Sequence, residues 1–311
     1  MNDLIVIGGG PAGLAATTYA MSKGLDTVLI GTRLGGRAGD TQYYAGQVEG
    51  EELVGEDAAL SLQRYLTTHL QRLVDTVVVG LRKDDDVFSV RTEDATWSSR
   101  AVIIATGAQP QTLGLSSEWR AVGLGLSYSI TTHAHAVAGR DVAVVGTSLR
   151  ALLGVAELVD LARSIALIAP DSGALASPLG QRLQQHPRVR LLDGFHVQEI
   201  EVLTGSVQAI VVAREDITLR LPVQAVFVEL GLVPNSQLVR ELVPLDTRGH
   251  IVIDALNRTA QPGLFAAGDV TNRVCEQILI AIGEGTRAAV SAYAYVLAQR
   301  LGIGVSSVST G

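Results

Sequence analysis

Cysteine is almost absent from this chain, because Cys275 is the only one among 311 residues. One thiol excludes an internal disulfide, a CxxC redox pair and a cysteine metal cluster. The six histidines show no HExxH or comparable ligand spacing, so we predict no metal site. Internal disulfide exchange and metal catalysis are therefore not expected.

Lysine and long apolar runs are also scarce. Only Lys23 and Lys83 accompany 22 arginines, and the net charge of −7 argues against a nucleic-acid partner. No stretch approaches twenty uninterrupted apolar residues, which argues against a membrane span. The N-terminal residues show neither a basic region nor a small-residue cleavage pattern, so we expect no signal peptide and a cytoplasmic location.

Glycine, by contrast, is abundant at 33 residues, and its first cluster lies between two apolar segments. Residues 4–7 are typical of a buried strand, and GGGPAG follows at residues 8–13. Residues 14–21 then indicate a helix, and residues 27–30 indicate a second strand. The order is that of a complete β-α-β unit with GxGxxG in its first turn.

This glycine spacing suits a dinucleotide. Gly8 permits the tight turn, Gly10 lets a pyrophosphate approach the backbone, and Gly13 lets the helix pack on the strand. Pro11 and Ala12 open the helix, whose positive N-terminus favours the phosphate charge. We therefore predict a dinucleotide bound at this turn.

One element of the dinucleotide pattern is missing. The acidic residue expected at the end of the second strand is replaced by Gly31 and Thr32. Ribose recognition must then come from other groups, such as the backbone around Gly31 or the side chain of Arg33.

Two later segments narrow the choice of dinucleotide. Residues 101–104 predict a buried strand that ends in Ala105-Thr106-Gly107, and residues 262–267 predict another that ends in Gly268-Asp269. The Asp269 carboxylate is suited to accept a ribityl hydroxyl, while Gly268 leaves room for the cofactor chain. The helix expected over 277–301 would direct its positive end at a flavin ring.

GGGPAG, ATGA, FVELGLVPN and GLFAAGDV, in this order, resemble the thioredoxin-reductase-like family of FAD-dependent class II pyridine nucleotide-disulphide oxidoreductases. The resemblance implies an α/β fold of two three-layer, Rossmann-like dinucleotide-binding domains, and a homodimer. The FAD-binding domain would comprise residues 1–112 and 247–311, and the second domain would comprise residues 113–246.

The motifs and the resemblance together predict FAD as the cofactor. Gly36 and Arg37 stand where that family has the last two residues of GGQ, and Gln277 lies near the flavin in the family. The cofactor-binding candidates are Gly8, Gly10, Pro11, Ala12, Gly13, Gly31, Arg33, Gly36, Arg37, Tyr44, Ala105, Thr106, Gly107, Gly268, Asp269, Glu276, Gln277 and Ile278.

The chain departs from the family where the reductases carry their dithiol. Their Ser-Tyr-Cys-x-x-Cys-Asp context reads SYSITTH at residues 127–133, with Ser129 and Thr132 in place of the cysteines. Disulfide exchange needs a thiolate and a second sulfur, and an alcohol supplies neither. Thioredoxin reduction through an internal dithiol is therefore excluded.

The second nucleotide motif is altered too. The family's GGGDSA reads GTSLRA from Gly146, which puts the Cβ of Ser148 where a glycine lets the pyrophosphate approach. After the next strand, Asp171 lies in Ala-Pro-Asp-Ser instead of an arginine-containing run that holds a 2′-phosphate. We expect this domain to keep its fold without a working NADPH site. Binding of NADH stays an alternative because of Asp171. A flat aromatic ligand in the cleft of this second domain is a further alternative.

Two residues are candidates for catalysis. Cys275 follows the Gly-Asp motif near a helix start, where a thiol pKa is lowered, although a small apolar role is the simpler interpretation. His133 stands where the reductases have an acidic proton donor, so it is an acid/base candidate. Because the dithiol is missing, the simpler expectation is that His133 lies in a loop on the surface.

These features predict an FAD-dependent oxidoreductase that exchanges electrons directly at the flavin. The donor would be a small electron-transfer protein such as ferredoxin or flavodoxin, or a small-molecule substrate would react at the ring. Three alternatives remain: an NAD(P)H-dependent reductase of the ferredoxin–NADP reductase type, a small-molecule flavin oxidase, and a non-catalytic flavin-binding sensor. The sequence does not identify the substrate.

Overall fold

The computed structural model describes residues 1–39, 55–273 and 277–304. They divide into two compact units. The described part of the first unit comprises residues 1–39, 55–109 and 233–304 without 274–276, and the second unit comprises residues 110–232. Among the described residues, no helix is both long and apolar enough to cross a membrane.

The secondary structure alternates in the way that the sequence motifs predict. The helices are α1 Pro11–Ser22, α2 Glu56–His69, α3 Ser116–Ala121, α4 Ile130–His133, α5 Leu149–Leu161, α6 Pro178–Gln184 and α7 Ile278–Leu301. The strands are β1 Asn2–Ile7, β2 Thr27–Ile30, β3 Leu73–Val74, β4 Val78–Asp84, β5 Val87–Thr92, β6 Thr96–Ile104, β7 Ala108–Pro110, β8 Leu126–Ser127, β9 Asp141–Val145, β10 Ser164–Ala169, β11 Val189–Asp193, β12 His196–Leu203, β13 Ser206–Arg214, β14 Ile217–Pro222, β15 Ala225–Val228, β16 Leu232–Pro234 and β17 Leu264–Ala266.

The first unit is built on a sheet with strand order β3-β2-β1-β6-β5-β4, and β17 also pairs with β6. Strands β1, β2, β3, β6 and β17 run parallel. Every residue of β1 is buried, as expected for a central parallel strand covered on both faces. Antiparallel β4 and β5 extend this sheet beyond β6.

Helices α1 and α7 cover one face of this sheet. Leu4, Leu14, Ile103 and Val296 belong to the buried cluster between them. The close packing of α1 and α7 depends on Gly285, because a Cβ there would lie 2.0 Å from the Ala12 carbonyl oxygen. The tight approach fixes the first turn of α1 relative to the middle of α7.

The second unit has a parallel five-stranded sheet with order β11-β10-β9-β15-β8. A separate antiparallel sheet, β12-β13-β14, packs its apolar side chains with one face of that sheet. Helix α5 packs on the other face through Leu152, Val155 and Leu158. The two units thus share a plan of strand, glycine turn and helix, and the predicted α/β fold of two Rossmann-like domains is confirmed.

The chain passes between the units twice, near β7 and near β16, and these two short strands pair in a sheet of their own. The unit boundaries lie at 109/110 and 232/233, whereas the sequence suggested 112/113 and 246/247. Residues 233–246 lie in the first unit, since Val239 and Val243 join its core with Ile5 and Val28. No sequence motif indicates that the chain returns to the first unit at residue 233 instead of residue 247.

Candidate cofactor site

The turn between β1 and α1 requires glycine at two of its positions. Gly8 has φ +113°, and a Cβ there would lie 2.2 Å from the Ala105 carbonyl oxygen. A Cβ at Gly13 would lie 1.9 Å from the Gly8 carbonyl oxygen. Any side chain at Gly8 or Gly13 would therefore push the turn, α1 and the end of β6 apart.

The outer side of the same turn is open. Among the described residues, a Cβ at Gly10 would meet only the Gly36 Cα, at 4.0 Å, and one at Gly107 would meet no heavy atom within 4 Å. Gly10 is the N-cap of α1, and no side chain caps its first turn, which Pro11 and Ala12 begin. Free N–H groups beside an open glycine form the kind of cradle that a pyrophosphate fits.

The end of β2 offers less to a ribose than the sequence suggested. The Gly31 N–H donates to the Val74 carbonyl oxygen at 3.0 Å, so this donor is occupied by the sheet. A Cβ at Gly31 would lie 2.8 Å from the Gly9 nitrogen, which explains the glycine. The carbonyl oxygen of Gly31 is then the backbone group that stays predicted for a ribose contact. Arg33 is exposed next to it.

The Ala105-Thr106-Gly107 turn is held by a residue that sequence reasoning missed. Asn235 donates its amide Nδ2 to the Thr106 carbonyl oxygen at 2.9 Å, and Thr106 Oγ1 donates to the Asn235 carbonyl oxygen at 2.7 Å. The Asn235 N–H also donates to the Gly107 carbonyl oxygen at 3.0 Å. The asparagine of the FVELGLVPN motif thus ties the chain after β16 to this turn.

The turn after β17 brings two candidate residues together. Arg37, in a short 3₁₀ helix, donates to the Asp269 carboxylate and forms an ion pair with it. Gly36, which has φ +56°, approaches Gly10 so closely that a Cβ would lie 2.9 Å from the Gly10 Cα. The segment of Gly36 and Arg37 therefore lies against both the α1 turn and Asp269.

A buried carboxylate, that of Glu284, binds the backbone of Gly268. Its N–H donates to Glu284 Oε2 at 2.8 Å, and Glu284 is only 6% exposed. Burial raises the pKa of this carboxyl group, and the hydrogen bond from Gly268 and the charges of Arg287 and Arg273 oppose the rise only in part. Glu284 was not identified from the sequence, because its role depends on a contact between segments 16 residues apart.

The remaining cofactor candidates lie at the start of α7. Gln277 is the N-cap of this helix and Ile278 is its first residue, and both are partly buried. Helix α7 extends to Leu301 as predicted, with no acidic residue in its first turn. Tyr44, Cys275 and Glu276 lie outside the described residues.

In the second unit, the turn after β9 differs from the first. Gly146 has φ +128°, and a Cβ there would lie 2.6 Å from the Glu229 carbonyl oxygen. Ser148 is the N-cap of α5, and its hydroxyl accepts the Ala151 N–H at 3.1 Å. The first turn of α5 is thus capped by a side chain, whereas the first turn of α1 is not.

The segment after β10 folds back onto this turn. Thr147 Oγ1 donates to Asp171 Oδ1 at 2.5 Å, and the Ala174 N–H donates to the Thr147 carbonyl oxygen at 2.7 Å. A Cβ at Gly173 would lie 2.2 Å from Thr147 Oγ1. Asp171, the one acidic group suited to a ribose here, is therefore already engaged by a neighbouring hydroxyl.

The segment of Ser129 and Thr132 begins a short helix, α4, that is held by hydrogen bonds. Ser129 Oγ and Thr132 Oγ1 lie 2.8 Å apart. The buried Glu229 accepts the Ile130 N–H at 2.7 Å, and its other oxygen lies 3.4 Å from Arg150 Nε. Glu229 therefore fixes the N-terminus of α4, and the two hydroxyls occupy facing positions one turn apart.

His133 is the last residue of α4 and is only 6% exposed, so the expectation of a surface loop is wrong. Its Nδ1 lies 2.9 Å from Ser127 Oγ and 3.3 Å from the Ser129 carbonyl oxygen. Burial lowers the pKa of His133, and the contact with the Ser129 backbone opposes this only in part. The acid/base role of His133 stays a prediction.

The buried imidazole predicts a loss of stability in acid. Below about pH 6.5 the unfolded chain binds a proton at this histidine that the folded chain does not, so the free energy of unfolding falls as pH falls. We expect His133→Gln to remove roughly 1 kcal/mol of the decrease measured between pH 7.5 and 5.5 by urea unfolding. His135→Gln, at an exposed neighbouring histidine, is the control and should keep the wild-type decrease. Equal decreases in all three proteins would contradict the prediction.

Two sheets with parallel central strands, each with a glycine turn that leads from a central strand into a helix, define a two-domain protein of the dinucleotide-binding class. The family described as pyridine nucleotide-disulphide oxidoreductase matches residues 2–285. The chain belongs to this family.

Relatives and solved structures agree with this assignment. The chain is 30% identical over 305 residues to the F component of alkyl hydroperoxide reductase in Staphylococcus epidermidis, covering 95% of the chain and 59% of that protein. The corresponding component in Pseudomonas aeruginosa is also 30% identical, with coverage of 95% and 58%. The chain thus spans somewhat more than half the length of these relatives.

Among solved structures, thioredoxin reductase from Streptococcus pyogenes superposes with a TM-score of 0.84 at 27% identity, covering 96% of the chain and 99% of that protein. Thioredoxin reductase from Giardia duodenalis gives a TM-score of 0.82 at 21% identity, covering 95% and 99%. The second likeness concerns the fold alone.

Proposed function

We propose that the chain binds FAD in its first unit and passes electrons through it without an internal dithiol and without NADPH. The redox partner is a small electron-transfer protein of the ferredoxin or flavodoxin kind, or a small molecule that reacts directly at the flavin. The homodimer implied by the resemblance and the cytoplasmic location expected from the N-terminal residues belong to the same proposal.

The fit of the first unit to FAD supports the first part. The uncapped first turn of α1 and the open sides of Gly10 and Gly107 suit a pyrophosphate and the chain attached to it. Asp269 is suited to accept a ribityl hydroxyl, and Arg37 balances its charge. When bound, FAD supplies the redox centre.

The observation that carries the proposal is the hydrogen-bonded pair of Ser129 and Thr132. Their oxygens lie 2.8 Å apart, at the two positions where the resembling reductases have redox cysteines. Hydroxyl groups do not form a reducible bond, so this turn does not relay electrons to a disulfide substrate. Any acceptor or donor must therefore exchange electrons with the flavin itself.

The second unit supports the part that concerns NADPH. Ser148 caps α5 with its own hydroxyl, where an open glycine would leave N–H groups for a pyrophosphate. Asp171, bound to Thr147, would repel a 2′-phosphate. Both features disfavour NADPH at the turn after β9.

One observation favours a second candidate, an NADH-dependent reductase. Asp171 follows β10, the position at which an acidic residue binds the ribose 2′-hydroxyl of NAD. Its Oδ2 remains a further acceptor, and Oδ1 is the atom that Thr147 engages. NADH therefore needs its own test.

The proposal predicts how the reconstituted flavoprotein responds to reductants. We expect no loss of the flavin absorbance band when the protein is mixed anaerobically with NADPH or NADH in a stopped-flow instrument. Dithionite should bleach the band completely, because it needs no binding site. Reduced ferredoxin or flavodoxin should bleach it at a rate that saturates with donor concentration.

Each other result of these experiments would indicate a different function. Rapid bleaching by NADH alone would establish the second candidate, and bleaching by NADPH would show that the assignment of the second unit is wrong. Rapid reoxidation by oxygen after photoreduction would favour an oxidase. A protein that no donor reduces, apart from dithionite, would be a flavin-binding sensor.

A further inference from the structure

Glu284 is a buried carboxylate in the first unit that no sequence motif identified. It lies in the second turn of α7, and its side chain is 6% exposed. Its Oε2 accepts the N–H of Gly268, the residue directly before Asp269, at 2.8 Å. The next residue, Gly285, is the one packed on the Ala12 carbonyl oxygen, so the position of Glu284 is fixed by the packing of α7 on α1.

Hydrogen bonds fix both ends of the turn formed by Gly268–Thr271. Gly268 has φ +77°, and its carbonyl oxygen accepts both the Thr271 N–H and the Thr271 hydroxyl at 2.9 Å. The same hydroxyl lies 3.5 Å from Glu284 Oε2. Asp269 occupies the second position of the turn, and its side chain extends to Arg37. The orientation of Asp269 thus depends on a turn whose first N–H is bound to Glu284.

The hydrogen bond to Gly268 does not by itself explain why residue 284 is acidic. Burying a carboxylate costs free energy that a neutral acceptor of similar shape would avoid. Among the described residues, the charged groups that face it are Asp269 on the turn, Arg273 two residues after the turn, and Arg287 on α7. Arg37 faces Asp269 from the 3₁₀ helix. Repulsion between the two carboxylates favours the conformation in which Asp269 points away from Glu284 and toward Arg37.

We propose that Glu284 is a positioning residue of the FAD site: its carboxylate fixes the Gly268 N–H and keeps Asp269 paired with Arg37, in the orientation that accepts the ribityl chain. This inference rests on the proposed binding of FAD in the first unit. Glu284 acts through Gly268 and Asp269, and it needs no contact with the cofactor.

The test is the titration of apoprotein with FAD, followed by quenching of flavin fluorescence. We expect Glu284→Ala to weaken FAD binding by about 10- to 100-fold, because it removes a charged acceptor and leaves the Gly268 N–H buried. Glu284→Gln keeps a carboxamide oxygen for the same N–H and should recover most of the affinity at pH 8. Glu157→Gln, at an exposed carboxylate of α5, is the charge-matched control and should bind as wild type does.

The pH dependence of the affinity separates positioning from general stability. Burial raises the pKa of Glu284 above that of an exposed glutamate, so lowering the pH from about 8 to 5 favours its protonation in the folded protein, and protonation removes both the strong acceptor and the repulsion of Asp269. Wild-type affinity should fall over this range, and Glu284→Gln should lack that part of the fall. Thermal unfolding of each apoprotein shows whether stability changes in parallel.

The outcomes distinguish the two proposals. If wild-type apoprotein does not bind FAD, the proposed function is wrong and this inference falls with it. If wild type binds and Glu284→Ala binds equally tightly, the inference alone is wrong and Glu284 is a structural residue. If Glu284→Ala does not fold, the pH comparison between wild type and Glu284→Gln decides, and identical profiles would overturn the inference.

Discussion

Ser129→Cys combined with Thr132→Cys, in a Cys275→Ser background, is expected to form an internal disulfide on air oxidation. The two hydroxyl oxygens already lie 2.8 Å apart, one turn apart on α4, and Glu229 and Arg150 hold the start of that helix. Sulfur atoms on longer bonds from the same Cβ positions reach bonding distance with little movement. Thiol titration of the denatured, oxidised protein should find no free thiol, and titration after reduction should find two.

The disulfide should also stabilise the second unit modestly. It closes a very short loop, for which the chain-entropy estimate is about 2 kcal/mol. The single variant Ser129→Cys in the same background is the control, with one free thiol before and after reduction. Two titratable thiols in the oxidised double variant would show that the positions are not in disulfide geometry.

The same variant tests the assignment of the second unit. NADPH should leave the new disulfide oxidised, because Ser148 and Asp171 disfavour this nucleotide at the turn after β9. Reduction of the disulfide by NADPH in the holoprotein would contradict that assignment. Such a reduction would also show that two substitutions, cysteine to Ser129 and cysteine to Thr132, are the main difference between this protein and the dithiol reductases.

Gly10→Val is expected to abolish FAD binding while the apoprotein keeps its stability. Gly10 has φ −72° and ψ 179°, a conformation that valine adopts readily, and a Cβ there lies no closer than 4.0 Å to another heavy atom. The added methyl groups occupy the space in front of the first turn of α1, where the pyrophosphate must approach the backbone. We expect the affinity for FAD to fall by about 100-fold or more, measured by fluorescence titration.

Gly283→Ala is the matched control for this variant. Position 283 is exposed on α7, and a Cβ there meets no heavy atom within 4 Å. Alanine in a helix interior should raise the free energy of unfolding by about 0.5–1 kcal/mol and leave FAD binding unchanged. Retention of wild-type affinity by Gly10→Val would show that the cofactor does not use this turn. Unfolding of the variant apoprotein would show that the space at Gly10 is filled.

Local patterns in the sequence predicted the frame of the first unit. The run of apolar residues before Gly8, the glycine spacing and the apolar segment at 27–30 indicated a β-α-β unit, and the structure has β1, α1 and β2 there. Such signals are readable because each depends on neighbours a few residues apart. The same reasoning located the Ala105-Thr106-Gly107 and Gly268-Asp269 turns at the ends of β6 and β17.

Contacts between distant segments were beyond the reach of these patterns. His133 was expected on a surface loop, because the dithiol that an acid/base group would serve is missing, yet α4 buries it beside Ser127. The return to the first unit at residue 233 was also missed. Val239 and Val243 show their role only when packed with the sheet of the first unit.

By itself the sequence determined the fold class and the glycine turn after β1, since each follows from residue identity and local spacing. Only the tertiary structure decided which polar groups hold these turns in place. Asn235 reaches Thr106 across 129 positions, and Glu229 reaches Ile130 across 99. The partners of Glu284 likewise depend on how closely α7 packs on α1. A hydrogen bond between segments far apart in the chain exists only after the strands and helices that carry them have packed, so no local pattern records it.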